Sequence, residues 1–393
     1  MKQILYLAWR YLAYHRFKTL ILITAITLIF YVPVGLRVLV NQSAEQLTAR
    51  AVGTPLVIGA KGSPLELVLN TLYFGSDVPA TMHYTQFERV AESELASAIP
   101  VYTRFNVQGH PIVGTTLEYQ SFRGLEIAAG RQMAVLGECV VGSRVAAALG
   151  VGPGDSVISS PESVFDIAGV YPLKMNVAGV LDFADGPDDD AIFVDIKTAW
   201  IIAGIGHGHQ DLAQPEAVAG VLSRDDNEIV ANASVMQYNE ITEENRGSFH
   251  FHGELSDYPV TAVIAVPQDQ RSSALLQGRY QNTDDVAQIV VPEGVMNELL
   301  ATVLTVQRFV VAGAVLLGLA TLASASLVFT LSLRLRRREI DTLFRIGGSR
   351  AAVAMVMASE IVVVLAVGAL LAATLTLATR EFGAVLIRLL IRM

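Results

Sequence analysis

The stretch Thr19-Leu20-Ile21-Leu22-Ile23-Thr24-Ala25-Ile26-Thr27-Leu28-Ile29-Phe30-Tyr31-Val32-Pro33-Val34-Gly35-Leu36 runs 18 residues without a charge. A helix needs about 20 apolar residues, at about 1.5 Å rise each, to cross a hydrocarbon core of about 30 Å. With the extension past Arg37 to Val40 this run is long enough to span. Its leader of 18 residues carries Lys2, Arg10, Arg16 and Lys18, has no acidic residue, and is itself patterned as a helix. No small-residue cleavage site follows Leu36, so the run reads as an uncleaved anchor and not as a signal peptide. Pro33 predicts a bend near its outer end.

Two more runs of this kind lie near the other end of the chain. Residues 309–333 give 25 uncharged positions and residues 361–379 give 19. Between them stand Arg334, Arg336, Arg337, Arg338, Arg345 and Arg350. Basic residues collect on the cytoplasmic side of spans, so this loop and the leader belong inside and the intervening chain outside. The predicted organisation is a cytoplasmic leader over 1–18, spans over 19–40, 305–333 and 351–379, an external domain over 41–304 and a cytoplasmic segment over 334–350. After Arg380-Glu381 the remaining residues are too few to cross, so 380–393 is expected as a short interfacial helix or a truncated fourth span. Arg388 and Arg392, four apart, share one of its faces.

Charge follows the same division. Residues 41–304 hold 33 Asp and Glu against 13 Lys and Arg, a net of −20, while the rest of the chain carries 4 acidic and 15 basic residues. The formal charge of −9 averages these two parts. With 52% hydrophobic and 17% charged residues, the composition excludes a disordered chain and a nucleic-acid binder resting on a broad basic surface. The single cysteine, Cys139, excludes an internal disulfide framework and reads as a small buried residue.

The external part reads as a mixed α/β (α+β) domain. Residues 45–52 continue the first helix. Ser63, Pro64 and Glu66 open a helix through Leu72, and Thr85 with Glu88 opens another through Ala96. Strands are predicted over 101–107, 120–125, 138–141, 156–159, 175–181, 191–194 and 260–266. A helix over 143–149 ends at Gly150, Gly152-Pro153-Gly154-Asp155 is a turn, and the acidic run 185–190 is a solvated turn. Residues 210–245 are polar and weakly patterned.

Three stretches carry a family resemblance. They are Leu7-Ala8-Trp9-Arg10-Tyr11-Leu12 with His15-Arg16-Phe17-Lys18-Thr19-Leu20; Val140-Val141-Gly142-Ser143-Arg144-Val145-Ala146 with Gly154-Asp155 and Val177-Ala178-Gly179-Val180-Leu181; and Arg338-Glu339-Ile340-Asp341-Thr342-Leu343-Phe344-Arg345-Ile346-Gly347-Gly348-Ser349-Arg350. In order and spacing they resemble the FtsX-like (MacB/LolC-type) permease family of ABC transporters, over nearly the whole chain. The resemblance implies a periplasmic domain after the first span, an inner-membrane location, a second permease copy, and a separate ATPase subunit holding ATP and Mg. It also implies that Glu339, Ile340, Leu343, Phe344, Arg345, Gly347, Gly348, Ser349 and Arg350 form the segment that docks on that ATPase. An apolar ridge of Ile340, Leu343, Phe344 and Ile346 suits a groove, and Gly347-Gly348 turns the chain back. Glu360 matches a glutamate recurring early in the third span; it is expected at the inner interface, either touching the coupling segment or partner, or facing lipid headgroups. The family has four spans, and this chain departs from it at the C-terminus.

No Gly-rich phosphate loop ending in Gly-Lys-Ser/Thr is present in the sequence, so hydrolysis of ATP is expected only in a partner. His207-Gly208-His209 and His250-Phe251-His252 place imidazoles two apart, on one side of an extended chain. Such pairs suit Zn²⁺, and two unrelated loop pairs are the alternative. No catalytic triad or carboxylate pair is evident. The expected function is a non-catalytic permease subunit whose periplasmic domain moves for export, extraction or mechanotransmission, with membrane lipid and a periplasmic adaptor or lipoprotein client as further partners and no nucleic acid. The alternatives are a regulatory scaffold for a periplasmic enzyme and a zinc-linked transporter or sensor.

Overall fold

The computed structural model describes residues 2–75, 78–160, 172–208, 221–225, 228–231, 239–281, 286–335, 342, 345 and 349–391. The chain divides into two compact units, one made of Met1–Ala49 with Asn297–Met393, the other of Arg50–Met296.

The first unit is helical. A leader helix, Lys2–Tyr14, precedes a 37-residue helix, Arg16–Val52. Two further long helices follow the external domain, Pro292–Leu335 and Arg350–Ile391. Three stretches within them are long and apolar enough to cross a membrane: Arg16–Gln42, Pro292–Ser324 and Ala354–Gly383. The C-terminal segment expected after Arg380 is helical and continuous with the third span, because nothing in Arg380-Glu381 interrupts the backbone ladder.

The first and third spans pack on each other through small and hydroxyl residues. Thr27 Oγ1 donates to Gly368 O at 3.3 Å, the Tyr31 and Thr379 hydroxyls are 2.9 Å apart, and Gln42 Nε2 donates to Arg380 O at 2.9 Å. The matched positions rise together along both helices, so these two spans run in the same direction. That agrees with a second span returning between them.

The second unit is built on one mixed sheet of 11 strands. Its main path runs Asn239–Glu240, Leu173–Leu181, Glu138–Val141, Ile192–Asp195, His110–Thr115, Ala96–Val107, Ala262–Pro267, Leu56–Ala60, Ala287–Val290. Ile127–Gly130 and Ser156–Ile158 add to Leu173–Leu181. The 12-residue strand Ala96–Val107 joins two halves: residues 96–101 pair with Ala262–Pro267, and residues 102–107 pair with His110–Thr115. A register shift between Thr103 and Asn106 marks the second pairing, the sort of irregularity that bends a strand.

Alternation on Leu173–Leu181 is complete, with Leu173, Met175, Val177, Val180's neighbour Gly179 and Leu181 facing the covered side and Lys174 and Asn176 less buried. Trp200, Tyr102, Tyr119 and Phe193 are the largest fully buried side chains. Most predicted elements are present. Ser63 Oγ accepts from Glu66 N at the start of Pro64–Tyr73, and Gly150 closes Ser143–Leu149 at φ 66°.

Three expectations need correction. Residues 120–125 are not a strand: Leu117–Arg123 is a helix that ends on Gly124 at φ 64°. Its Glu118 in the first turn and its αL glycine outweigh the short apolar alternation. The helix expected through Ala96 stops at Ala91, and Ala96 starts the long strand. Thr85 lies inside that helix, its hydroxyl donating to Ser256 O, with Tyr84 at the cap. Residues 185–190 are not uniformly solvated, since Asp188 and Asp189 are 3% and 1% exposed. Most of residues 210–245 lie outside the described residues; those described include the hairpin Val221–Asp225 with Glu228–Ala231.

Candidate functional site

Asp188 and Asp189 are buried because cations and backbone N–H groups meet them. Arg50, on the last turn of the helix Arg16–Val52, makes a bidentate pair with Asp188 at 2.6 and 2.9 Å and also donates to the Tyr119 hydroxyl. The Tyr119 hydroxyl in turn donates to Asp188 at 2.9 Å. Burial opposes the Arg50 cation, but Tyr119 and Asp188 more than offset it, and its pKa is raised. Asp189 accepts from Ser143 Oγ and from the backbone N–H groups of Ala184 and Gly186, while Arg144 lies 3.3 Å away. Gly142 is required here, since a Cβ at that position would sit 2.3 Å from Asp188 O and 2.5 Å from Asp189 O. This acidic turn is therefore a seat for Arg50 and Arg144, and its carboxylates are engaged in those contacts.

Within the helical unit, Glu360 is 4% exposed. It lines a cavity of about 290 Å³ together with Tyr11, His15, Lys18, Thr19 and Ser326. The leader helix and the spans surround this carboxylate. Of the residues expected from the sequence to dock on an ATPase, Arg345 and Ser349 are exposed and Arg350 opens the third-span helix. Glu339, Ile340, Leu343, Phe344, Gly347 and Gly348 lie outside the described residues.

The histidines give the most compact cluster of metal-capable groups. Gly206–Gly208 pairs antiparallel with Phe249–Phe251, setting His207 directly opposite His250. A Cβ at Gly206 would be 2.6 Å from the Phe251 ring and one at Gly208 2.7 Å from the Phe249 ring. The two glycines thus let both rings lie flat across the strand pair. Phe251 continues into the aromatic core beside Tyr258 and Trp200, at ring separations of 5.9 and 6.4 Å. Alternation sends His207 and His250 to the opposite face.

His252, two residues on from His250, joins them on that face. The three imidazole centroids lie 4.6–5.0 Å apart, and one nitrogen from each ring falls within 4.8 Å of the others. His250 Nδ1 is 2.9 Å from Ser248 O, and its Nε2 is 3.0 Å from His252 Nε2. His209, the fourth histidine of the sequence pattern, lies outside the described residues. What the sequence could not show was the strand pairing that brings residues 207 and 250 together.

Residues 20–214 match the model of the MacB-like periplasmic core domain. The chain is thus similar to the FtsX/MacB-like permeases of ABC transporters, with a MacB-like periplasmic core domain after its first span. Among solved structures it is similar to the periplasmic region of MacB from Actinobacillus actinomycetemcomitans, at 9% identity and a TM-score of 0.33, over 63% of this chain and 94% of that one. It is also similar to the extracellular domain of the noncanonic ABC-type transporter YknZ from Gram-positive bacteria, at 12% identity and a TM-score of 0.32, over 60% of this chain and 98% of that one. No curated protein matches it.

Proposed function

We propose that this chain is the non-catalytic membrane subunit of an ABC-type complex, coupling ATP hydrolysis by a separate ATPase to movement of its periplasmic domain. The observation that carries this reading is the match of residues 20–214 to the MacB-like periplasmic core domain. Two features support it. The first-span helix runs unbroken from Arg16 to Val52, and its last turn is held by the Arg50–Asp188 pair at 2.6 Å. Between residues 309 and 333 the only polar side chains are Thr and Ser, which disfavours a wide hydrophilic channel. Work on a lipid-embedded or periplasmic client, a lipoprotein among them, fits better than passage through the spans.

In this reading the ATPase docks on the segment containing Glu339, Ile340, Leu343, Phe344, Arg345, Gly347, Gly348, Ser349 and Arg350. A second permease copy completes the complex in the inner membrane. Large apolar side chains on Pro292–Leu335 are exposed, including Phe309, Leu316 and Leu317, and are available to lipid or to that copy. The test is co-purification of the cognate ATPase with a Leu343→Asp, Phe344→Asp double variant. The complex should be lost while the permease still reaches the membrane. Undiminished association would remove the coupling assignment.

A further inference from the structure

We propose that His207, His250 and His252 form a zinc site on the periplasmic domain, separate from the ATPase-coupling function. Three features of this strand pair favour a built site over a chance meeting of surface side chains. The first is convergence. One nitrogen of each imidazole lies within 4.8 Å of the other two, and the two closest, on His250 and His252, are 3.0 Å apart. Zinc–nitrogen bonds of about 2.0–2.1 Å in a tetrahedral shell separate neighbouring nitrogens by roughly 3.3 Å. The present spacing therefore needs small side-chain rotations and no backbone change.

The second feature is orientation. His250 Nδ1 faces Ser248 O at 2.9 Å, so that nitrogen carries the proton and donates it. This leaves Nε2, the nitrogen turned toward His252, with a lone pair to offer a metal. Metal-ligating histidines commonly donate their second N–H to a carbonyl in this manner, which fixes tautomer and ring plane. The third is the scaffold. Gly206 and Gly208 admit the Phe249 and Phe251 rings on one face, and Phe251 anchors the strand pair beside Trp200. The imidazole face is consequently held by a buried aromatic core while its ligands stay accessible to solvent.

Three neutral nitrogen donors without a thiolate suit Zn²⁺ among abundant divalent ions, because Mg²⁺ and Ca²⁺ require oxygen ligands. The fourth position is left for water or an incoming ligand, as in open zinc sites. Since the ion would tie the strand Gly206–Gly208 to the segment after Phe251, its binding should also stabilise the domain by mass action.

The experiment uses the full-length protein, stripped with chelator and dialysed against Zn²⁺ alone, with bound metal measured by elemental analysis. The wild type should retain close to one Zn²⁺ per chain and gain thermal stability with added zinc. His207→Ala, His250→Ala and His252→Ala should each lose the bound equivalent at the same free zinc, while His110→Ala, outside the cluster, keeps it. Co²⁺ substitution should give the visible absorption of a four-coordinate site in the wild type and not in the His250→Ala variant. Absence of zinc uptake by the wild type, or uptake unchanged by His250→Ala, would overturn the proposal. Neither result bears on ATPase association, so the two readings fail separately.

Discussion

At the scale of single residues, the strongest commitment in the external domain is the Arg50–Asp188 pair. Its side chains are 11% and 4% exposed, and Tyr119 closes a hydrogen-bonded triangle around them. Replacing one member leaves the other charge buried without compensation, a defect of about 3–5 kcal/mol. Asp188→Asn should thus lower the domain's melting temperature by roughly 6–20 °C for a unit of this size, whereas Asp185→Asn, on an exposed side chain, should leave it within a degree or two. Equal melting of both variants would show the pair to be dispensable. The Arg131–Glu138 pair supplies a pH-dependent counterpart. The Arg131 hydrogen bond, helped by the backbone N–H groups of Ala134 and Val135, outweighs burial and holds the Glu138 carboxyl below its usual range. A depressed carboxylate pKa stabilises the fold above the unfolded value and ceases to do so as pH falls through the folded value. The stability gap between wild type and Glu138→Gln, followed by thermal melts from about pH 7 to about pH 3, should narrow steadily on acidification. A gap that stays constant would mean the pair contributes through packing alone.

At the scale of elements, close approach of the first and third spans depends on Gly368. A Cβ there would lie 2.6 Å from Ile26 Cγ2 and 3.6 Å from Ile23 O, and the Gly368 carbonyl accepts from Thr27. Small residues are what allow membrane helices to pack at this range. Gly368→Leu should force them apart, at a cost of about 1–3 kcal/mol for overpacking, seen as a lower unfolding temperature of the detergent-solubilised protein. Gly313→Leu, where a Cβ meets nothing within 4 Å, is the control, and an equal response of both would refute the contact. Such helices were legible in the sequence because their signals are local: an uncharged run, the Ser63 cap with Pro64, the αL glycine at position 150. Where several weak local signals competed, at residues 117–125, the short alternation was misleading and the helix won through Glu118 and Gly124. The acidic turn misled for a different reason. Asp188 and Asp189 look solvent-seeking until Arg50, Arg144 and Ser143 are brought to them, and that is a tertiary event with no sequence spacing to announce it. The histidines fall between these cases. Their two-residue period marked the candidates, but the register that faces His207 with His250 arises from pairing across a long intervening segment.

At the scale of the whole molecule, the charge division and the direction of the spans make one argument about orientation. The external residues carry the net −20, and the leader and the 334–350 segment hold 10 of the 15 Lys and Arg that lie outside them. First and third spans run the same way, as an in–out, out–in, in–out path demands. The chain's sole cysteine makes this testable without removing anything. Cys139 is fully buried, and burial pushes its thiol up to about 12, so at neutral pH it should resist a maleimide until the protein is unfolded, because the thiolate is the reactive form. Against that silent background, Ala274→Cys on the exposed side of the helix Gln270–Arg279 should be labelled on intact spheroplasts by a membrane-impermeant maleimide. Ser349→Cys, exposed at the start of the third-span helix, should be labelled only after lysis, since the arginines around it place it inside. Labelling of Ser349→Cys on intact spheroplasts would invert the orientation and detach residues 334–350 from any cytoplasmic ATPase, leaving the periplasmic assignment of the sheet domain without its topological support.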